Sequence, residues 1–108
     1  MLRHMPFPFP DDQFPAELGA VVQRTVLSGE RPALEVIHAP DGSWMVGDRV
    51  ADPNLPGACL ATHMLHVVEH NSSVAELATM PPGHRAHRDR PGQPWKVMAL
   101  EEWDESHL

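Results

Sequence analysis

Apolar and polar residues alternate over two short stretches joined by a tight turn, and the arrangement recurs near the end of the chain. In residues 33–38, Leu34 and Val36 share one side; in residues 43–46, Trp44 and Val46 do. Such a period of two predicts strands. Asp41-Gly42 between them predicts a hairpin, because glycine takes the positive φ that a tight turn needs. Residues 84–89 and 95–100 predict a second hairpin around Arg90-Pro-Gly-Gln-Pro94. Between the hairpins the period changes. Leu60, Ala61, Met64, Leu65, Val67 and Val68 recur at helical spacing, which predicts one amphipathic helix over residues 57–70. Asn71 is suited to end it in a left-handed conformation. Ser73-Val-Ala-Glu76 matches a capping box and predicts a short helix to about Thr79, stopped by Pro81-Pro82-Gly83.

Ahead of the first hairpin, Pro15 and the apolar positions Leu18, Val21, Val22 and Val26 predict a helix over residues 15–29, with Gly29 just past its end. The second half of that segment, Val-Val-Gln-Arg-Thr-Val-Leu, is β-branched enough to form a strand instead. Residues 1–13 alternate proline and phenylalanine and predict an extended arm. Phe7 and Phe9 are expected to pin that arm to the domain's own surface; a partner-binding arm is the alternative. The order helix, hairpin, helix, short helix, hairpin predicts an α+β fold. In it, two hairpins form one antiparallel sheet of about four strands, with the central and N-terminal helices on one face. The organisation expected is an arm over residues 1–13, a single domain over 14–100 and an acidic tail over 101–108. Trp44 and Trp95 are expected to be buried and to meet in the core from the two hairpins.

At 108 residues there is room for one domain. Twelve prolines limit long helices, and no apolar run approaches the roughly 20 residues of a membrane span. One cysteine allows no internal disulfide, and the N-terminus lacks the order of a signal peptide, so a cytoplasmic location is expected. A formal net charge of −7 argues against a nucleic-acid partner, since phosphates would repel it.

Candidate chemistry centres on Cys59, His63, His66 and His70. On one continuous helix, steps of four, three and four residues place them on a single stripe opposite the apolar arc. That stripe would face solvent, a second subunit or a ligand. Histidines four apart can share a metal, and zinc or copper suits nitrogen and thiolate donors. One ion cannot reach all four, because Cys59 and His70 would lie about 16 Å apart along the axis. A site would therefore use His63, His66 and His70, or one pair, completed by His84, His87, Glu69 or Asp48. The plainer alternative is a solvated or homodimer-facing polar side. Cys59 near a helix N-terminus would have a lowered pKa, and Glu69 beside His66 and His70 could form an acid–base pair. No oxyanion hole is recognisable, so the chain reads as non-enzymatic.

Residues 84–90 are the one basic run. Arg85, Arg88 and Arg90 suit bidentate pairing with carboxylate or phosphate. Alternation places Arg85 and His87 on one face, His84 and Arg88 on the other. The acidic tail is expected to pair with this strand; an acidic partner protein is the alternative. Trp103 in the tail is either an exposed contact or its anchor. Arg85, Arg88 and Trp103 are thus the candidate partner-binding residues.

The succession Asp41-Gly-Ser-Trp44, Gly47, His66-Val-Val-Glu69, Ser73-Val-Ala-Glu-Leu77, Pro82-Gly83, Ala86-His-Arg88 and Pro94-Trp95 resembles a group of short bacterial domains. Their layout is similar to that of the immunity-protein-like domains of polymorphic toxin systems. The resemblance spans about residues 33–97 and implies a protein partner; it carries no catalytic residues. Two other readings stand beside it. One is a metal-site protein or small metal-dependent enzyme built on the Cys/His stripe. The other is a small-ligand-binding accessory protein of a biosynthetic cluster.

Overall fold

The computed structural model describes residues 6–100. The fold is α+β, with strands β1 (Gly19–Gln23), β2 (Glu35–His38), β3 (Trp44–Gly47), β4 (Cys59–His63), β5 (His84–His87) and β6 (Lys96–Ala99). The helices are α1 (Arg24–Leu27) and α2 (Met64–His70), with 3₁₀ turns at Pro10–Asp12 and Ser72–Leu77. All six strands form one sheet in the order β4-β1-β3-β2-β5-β6. β1 and β3 run parallel and every other pair is antiparallel. The sheet is therefore larger than the expected four strands, and mixed. Both expected hairpins are present, with Val36 opposite Val46 and Ala86 opposite Val97.

The added strands come from the two segments expected to be helices. Residues 15–29 become β1 followed by a single helical turn. Val21 and Val22 fit a pleated strand, and Val22, buried between β3 and β4, has a neighbour on either side. Residues 57–70 divide in the same way into β4 and α2. The last strand residue is extended in each case: Gln23 at φ −63, ψ 139, and His63 at φ −96, ψ 141. The β1–β4 ladder is then closed at both ends by the residue that starts each helix. Arg24 N donates to Ala58 O at 2.9 Å, and Met64 N donates to Leu18 O at 2.9 Å.

Asn71 is not left-handed (φ −139, ψ 72). Its side chain ties the end of α2 to the start of β2: Oδ1 accepts from Ala33 N at 3.0 Å, while Nδ2 donates to Val67 O at 3.4 Å. The expected capping-box helix is a 3₁₀ helix with no side-chain cap.

One sheet face carries the core. Ala20, Val22, Val36, Trp44, Val46 and Ala86 meet Val26, Met64, Val67, Val74 and Leu77 from the helices. The N-terminal segment belongs to this core, as expected of its phenylalanines. Phe9 is buried, and its ring lies 6.1 Å from that of Trp44. Phe14 meets Trp44 edge-on at 5.1 Å, and the His38 ring stacks on Trp44 at 3.9 Å. Trp44 is fully buried, but Trp95 is only half-buried and does not reach it. Trp95 sits under the Arg88 guanidinium, 4.0 Å from its ring centre, and donates to Ser73 O at 3.1 Å. Leu65, expected on the apolar arc, is exposed. Among the described residues no helix is long and apolar enough to cross a membrane. The expected pairing of residues 101–108 with the basic strand lies outside the described residues.

Candidate functional site

Among the described residues the second sheet face has no helix packed on it. The strand register lines up one row across all six strands: Ala61, Val21, Met45, Ile37, Arg85 and Met98. Each is partly or fully exposed. The row exists because every strand alternates, burying its other set of side chains in the core. Arg85 lies within it, 3.2 Å from Glu35 Oε2 and 3.5 Å from Met98 Sδ. The strands place Arg85 and Lys96 on this face against one carboxylate, Glu35, although the chain has 15 acidic and 8 basic residues.

The loop after β3 borders one end of the face. Gln23 reaches into it: Oε1 accepts from Asp48 N at 2.6 Å and Nε2 donates to Ala51 O at 3.0 Å. A Cβ on residue 47 would lie 2.7 Å from Gln23 Oε1, so a side chain there would displace the Gln23 amide from this position. Asp48 is fully buried. Its Oδ2 accepts from the Thr25 hydroxyl at 2.6 Å, and its Oδ1 from Val50 N at 2.8 Å and Ala51 N at 2.9 Å. Burial alone would push this carboxyl up, but those donors and Arg31 outweigh it and hold the pKa below the ordinary value. Beside the loop, His87 has both ring nitrogens buried without a hydrogen-bond partner among the described residues. Burial lowers its pKa, and Arg49, Arg85 and Lys96 lower it further against Glu35.

The Cys/His stripe is not formed, because the strand-to-helix change falls inside it. Cys59 and His63 lie on β4, on the open face with Ala61; His66 and His70 lie on α2. The three histidines are exposed, as expected. The His63 and His66 rings are 5.9 Å apart, and His66 Nδ1 lies 3.2 Å from Glu69 Oε1 in an ordinary helix-surface pair. Among the described residues no group of three His, Cys, Asp or Glu side chains is placed to hold a metal ion. Cys59 is not at a helix N-terminus. Its thiol faces Pro53 O at 3.6 Å, and burial, with Asp48 adding, pushes its pKa up rather than down.

Arg85 and Arg88 also part company. Arg88 lies past the end of β5 and is 3% exposed. Nε and Nη2 donate to Ala33 O at 3.3 and 3.1 Å, and Nη1 donates to Ser73 Oγ at 2.7 Å. Its burial lowers its pKa, opposed by Glu76. Arg88 thus ties β5 to β2 and the 3₁₀ helix, and Arg85 alone of the pair faces outward. Trp103 lies outside the described residues. The structure does unite two candidates from different expected sites: His70 and Arg88 line one cleft of about 420 Å³, together with Arg31, Ser72 and Ser73.

Gln23 and Arg31 escaped the sequence reading, and Asp48 entered it only as a possible metal ligand, not as the buried acceptor of its loop. The signal available for Asp48 was an aspartate opening a Pro/Asp/Asn-rich loop, where its carboxylate can accept from N–H groups two and three residues on. Comparison of the chain with protein-family models, with curated proteins and with solved structures gives no match.

Proposed function

We propose that this chain is a small non-enzymatic binding protein, immunity-like in its mode of action, that masks a partner protein by contact through the open sheet face. The observation that carries this reading is the row Ala61, Val21, Met45, Ile37, Arg85 and Met98, five of its six residues apolar and fully in register, with no helix packed on it among the described residues. A rigid sheet positions such a patch at little entropic cost on binding. Arg85 and Lys96 set its charge, so the partner presents an apolar patch rimmed by carboxylates. The whole-chain charge of −7 disfavours nucleic acid in that role.

The test is recovery of a partner from the native source by tagged wild-type protein and by Met45→Glu and Ile37→Glu variants, with Glu76→Gln as a control on the 3₁₀ helix. One protein should be recovered in stoichiometric amount by wild type and the control and lost with both face variants, whose folds are verified by circular dichroism. Equal recovery by the face variants refutes the reading. A wild-type dimer in light scattering that Met45→Glu converts to monomer would replace it with self-association.

A further inference from the structure

We propose that the cleft between α2, the α1–β2 connection and the β5–β6 turn binds a small molecule through a phosphate monoester group. Its donors converge from three separate parts of the chain: Arg31 before β2, His70 with Ser72 and Ser73 at the end of α2, and Arg88 after β5. Among the described residues no aspartate or glutamate lines it. Two guanidinium groups and two hydroxyls approaching from different sides suit a tetrahedral oxyanion with several acceptor oxygens.

The donors retain capacity. Arg88 uses three of its five N–H groups on Ala33 O and Ser73 Oγ, which leaves two. Those same bonds and the Trp95 ring fix its guanidinium in place, so it loses little freedom on binding. The Ser73 hydroxyl accepts from Arg88 and keeps its own proton to donate. Arg31 approaches Asp48 through Nε at 3.7 Å, beyond hydrogen-bond range, and its side chain is partly exposed, which leaves it capacity for a ligand. A volume of about 420 Å³ exceeds what a bare ion fills and falls in the ordinary range for small-molecule sites, roughly 300–1,000 Å³. The phosphate is therefore carried on a larger body. None of these residues belongs to the open-face row, so the cleft and the protein contact can be scored separately.

The experiment is calorimetric titration of the full chain with O-phosphoserine, inorganic phosphate and serine, at constant ionic strength set with sodium chloride. O-phosphoserine should bind at one site per chain, inorganic phosphate should compete with it, and serine should give no heat. Arg31→Gln should weaken O-phosphoserine by roughly tenfold or more, the loss expected for one charge-assisted contact. Ser72→Ala, on an exposed side chain with no role in the fold, should weaken it by a smaller factor and guards against a folding defect in the arginine variant. Glu76→Gln, which removes a carboxylate acting on Arg88, should bind at least as tightly as wild type. The proposal is overturned by any of three results: no binding of O-phosphoserine above serine, unchanged binding by both Arg31→Gln and Ser72→Ala, or binding of inorganic phosphate without binding of O-phosphoserine.

Discussion

Removing the Asp48 carboxylate should be among the most damaging polar changes available in this chain. In Asp48→Ala the Thr25 hydroxyl and the N–H groups of Val50 and Ala51 lose their acceptor together. A buried donor left unpaired costs about 1–3 kcal/mol. Val50 is itself exposed, so water can reach part of the loop and the lower end of that range applies. The sum is about 3–4 kcal/mol, a large part of the roughly 5–15 kcal/mol that stabilises a domain of this kind. Asp48→Asn keeps an oxygen for the two N–H groups and can donate to Thr25. It loses charge assistance and Arg31, so it should cost about 1–2 kcal/mol. Thr25→Val removes one partner only, and the double variant with Asp48→Ala should fall short of additivity by about 1 kcal/mol.

Urea unfolding followed by the fluorescence of buried Trp44 measures each value, with an unchanged slope in denaturant as the check on two-state behaviour. The acid limb adds a signed test. Because the folded carboxyl titrates below its unfolded value of about 3.9, its contribution is whole above that pH and is lost as pH falls through the lower folded value. Asp48→Asn should lack that part of the acid sensitivity. An Asp48→Ala variant within 1 kcal/mol of wild type, or full additivity with Thr25→Val, refutes the account of the loop.

His38 donates from Nδ1 to Met80 O at 2.8 Å and has its pKa lowered, chiefly by burial. Its share of stability is whole above the unfolded pKa near 6.5 and is lost as pH falls below it, so the urea midpoint should drop between pH 7.5 and 5.5 and drop less in His38→Gln; equal pH dependence in both proteins contradicts this. Trp44→Ala should cost about 3–5 kcal/mol and half-buried Trp95→Ala clearly less. Because Trp44 Nε1 has no hydrogen-bond partner among the described residues, Trp44→Phe should lose packing volume and no hydrogen bond; the reverse order of the two alanine variants in urea would show that the cores are misassigned.

The hairpins were legible because each is local. Alternation over four residues and a glycine turn specify pairing without help from the rest of the chain. The strands β1 and β4 were not, because each is defined by a distant partner. β1 lies between β3 and β4, and its parallel neighbour β3 begins 21 residues after β1 ends. β4 is an edge strand with no fully buried residue, so its apolar and polar residues do not alternate in sequence, while Leu60, Ala61, Met64 and Leu65 continue the apolar spacing of α2 without a break. Hydrophobic periodicity reports burial, and an edge strand has too little burial to report. The same limit hid the Arg88 role. Alternation correctly separated it from Arg85, but only the fold brings Ser73, Ala33 and Trp95 around its guanidinium.

The strand-to-helix junction at His63–Met64 decides where the candidate chemistry goes. Up to His63 the period is two, so Cys59, Ala61 and His63 stand on the open face while Leu60 and Thr62 face the other way. From Met64 the period is 3.6, and the chain carries His70 to the cleft on the far side of the sheet. One segment therefore contributes to both proposed surfaces and divides its donors between strand and helix, which is why the four side chains in helical spacing form no single stripe. The register that fixes this is set by backbone, not by the donors. Arg24 N on Ala58 O and Met64 N on Leu18 O bracket the β1–β4 ladder, and a slip of one residue would exchange Ala61 for Leu60 or Thr62 on the open face. The place of Ala61 in the contact row is thus bracketed by two hydrogen bonds at the ends of the β1–β4 ladder, made by the residues that also start α1 and α2.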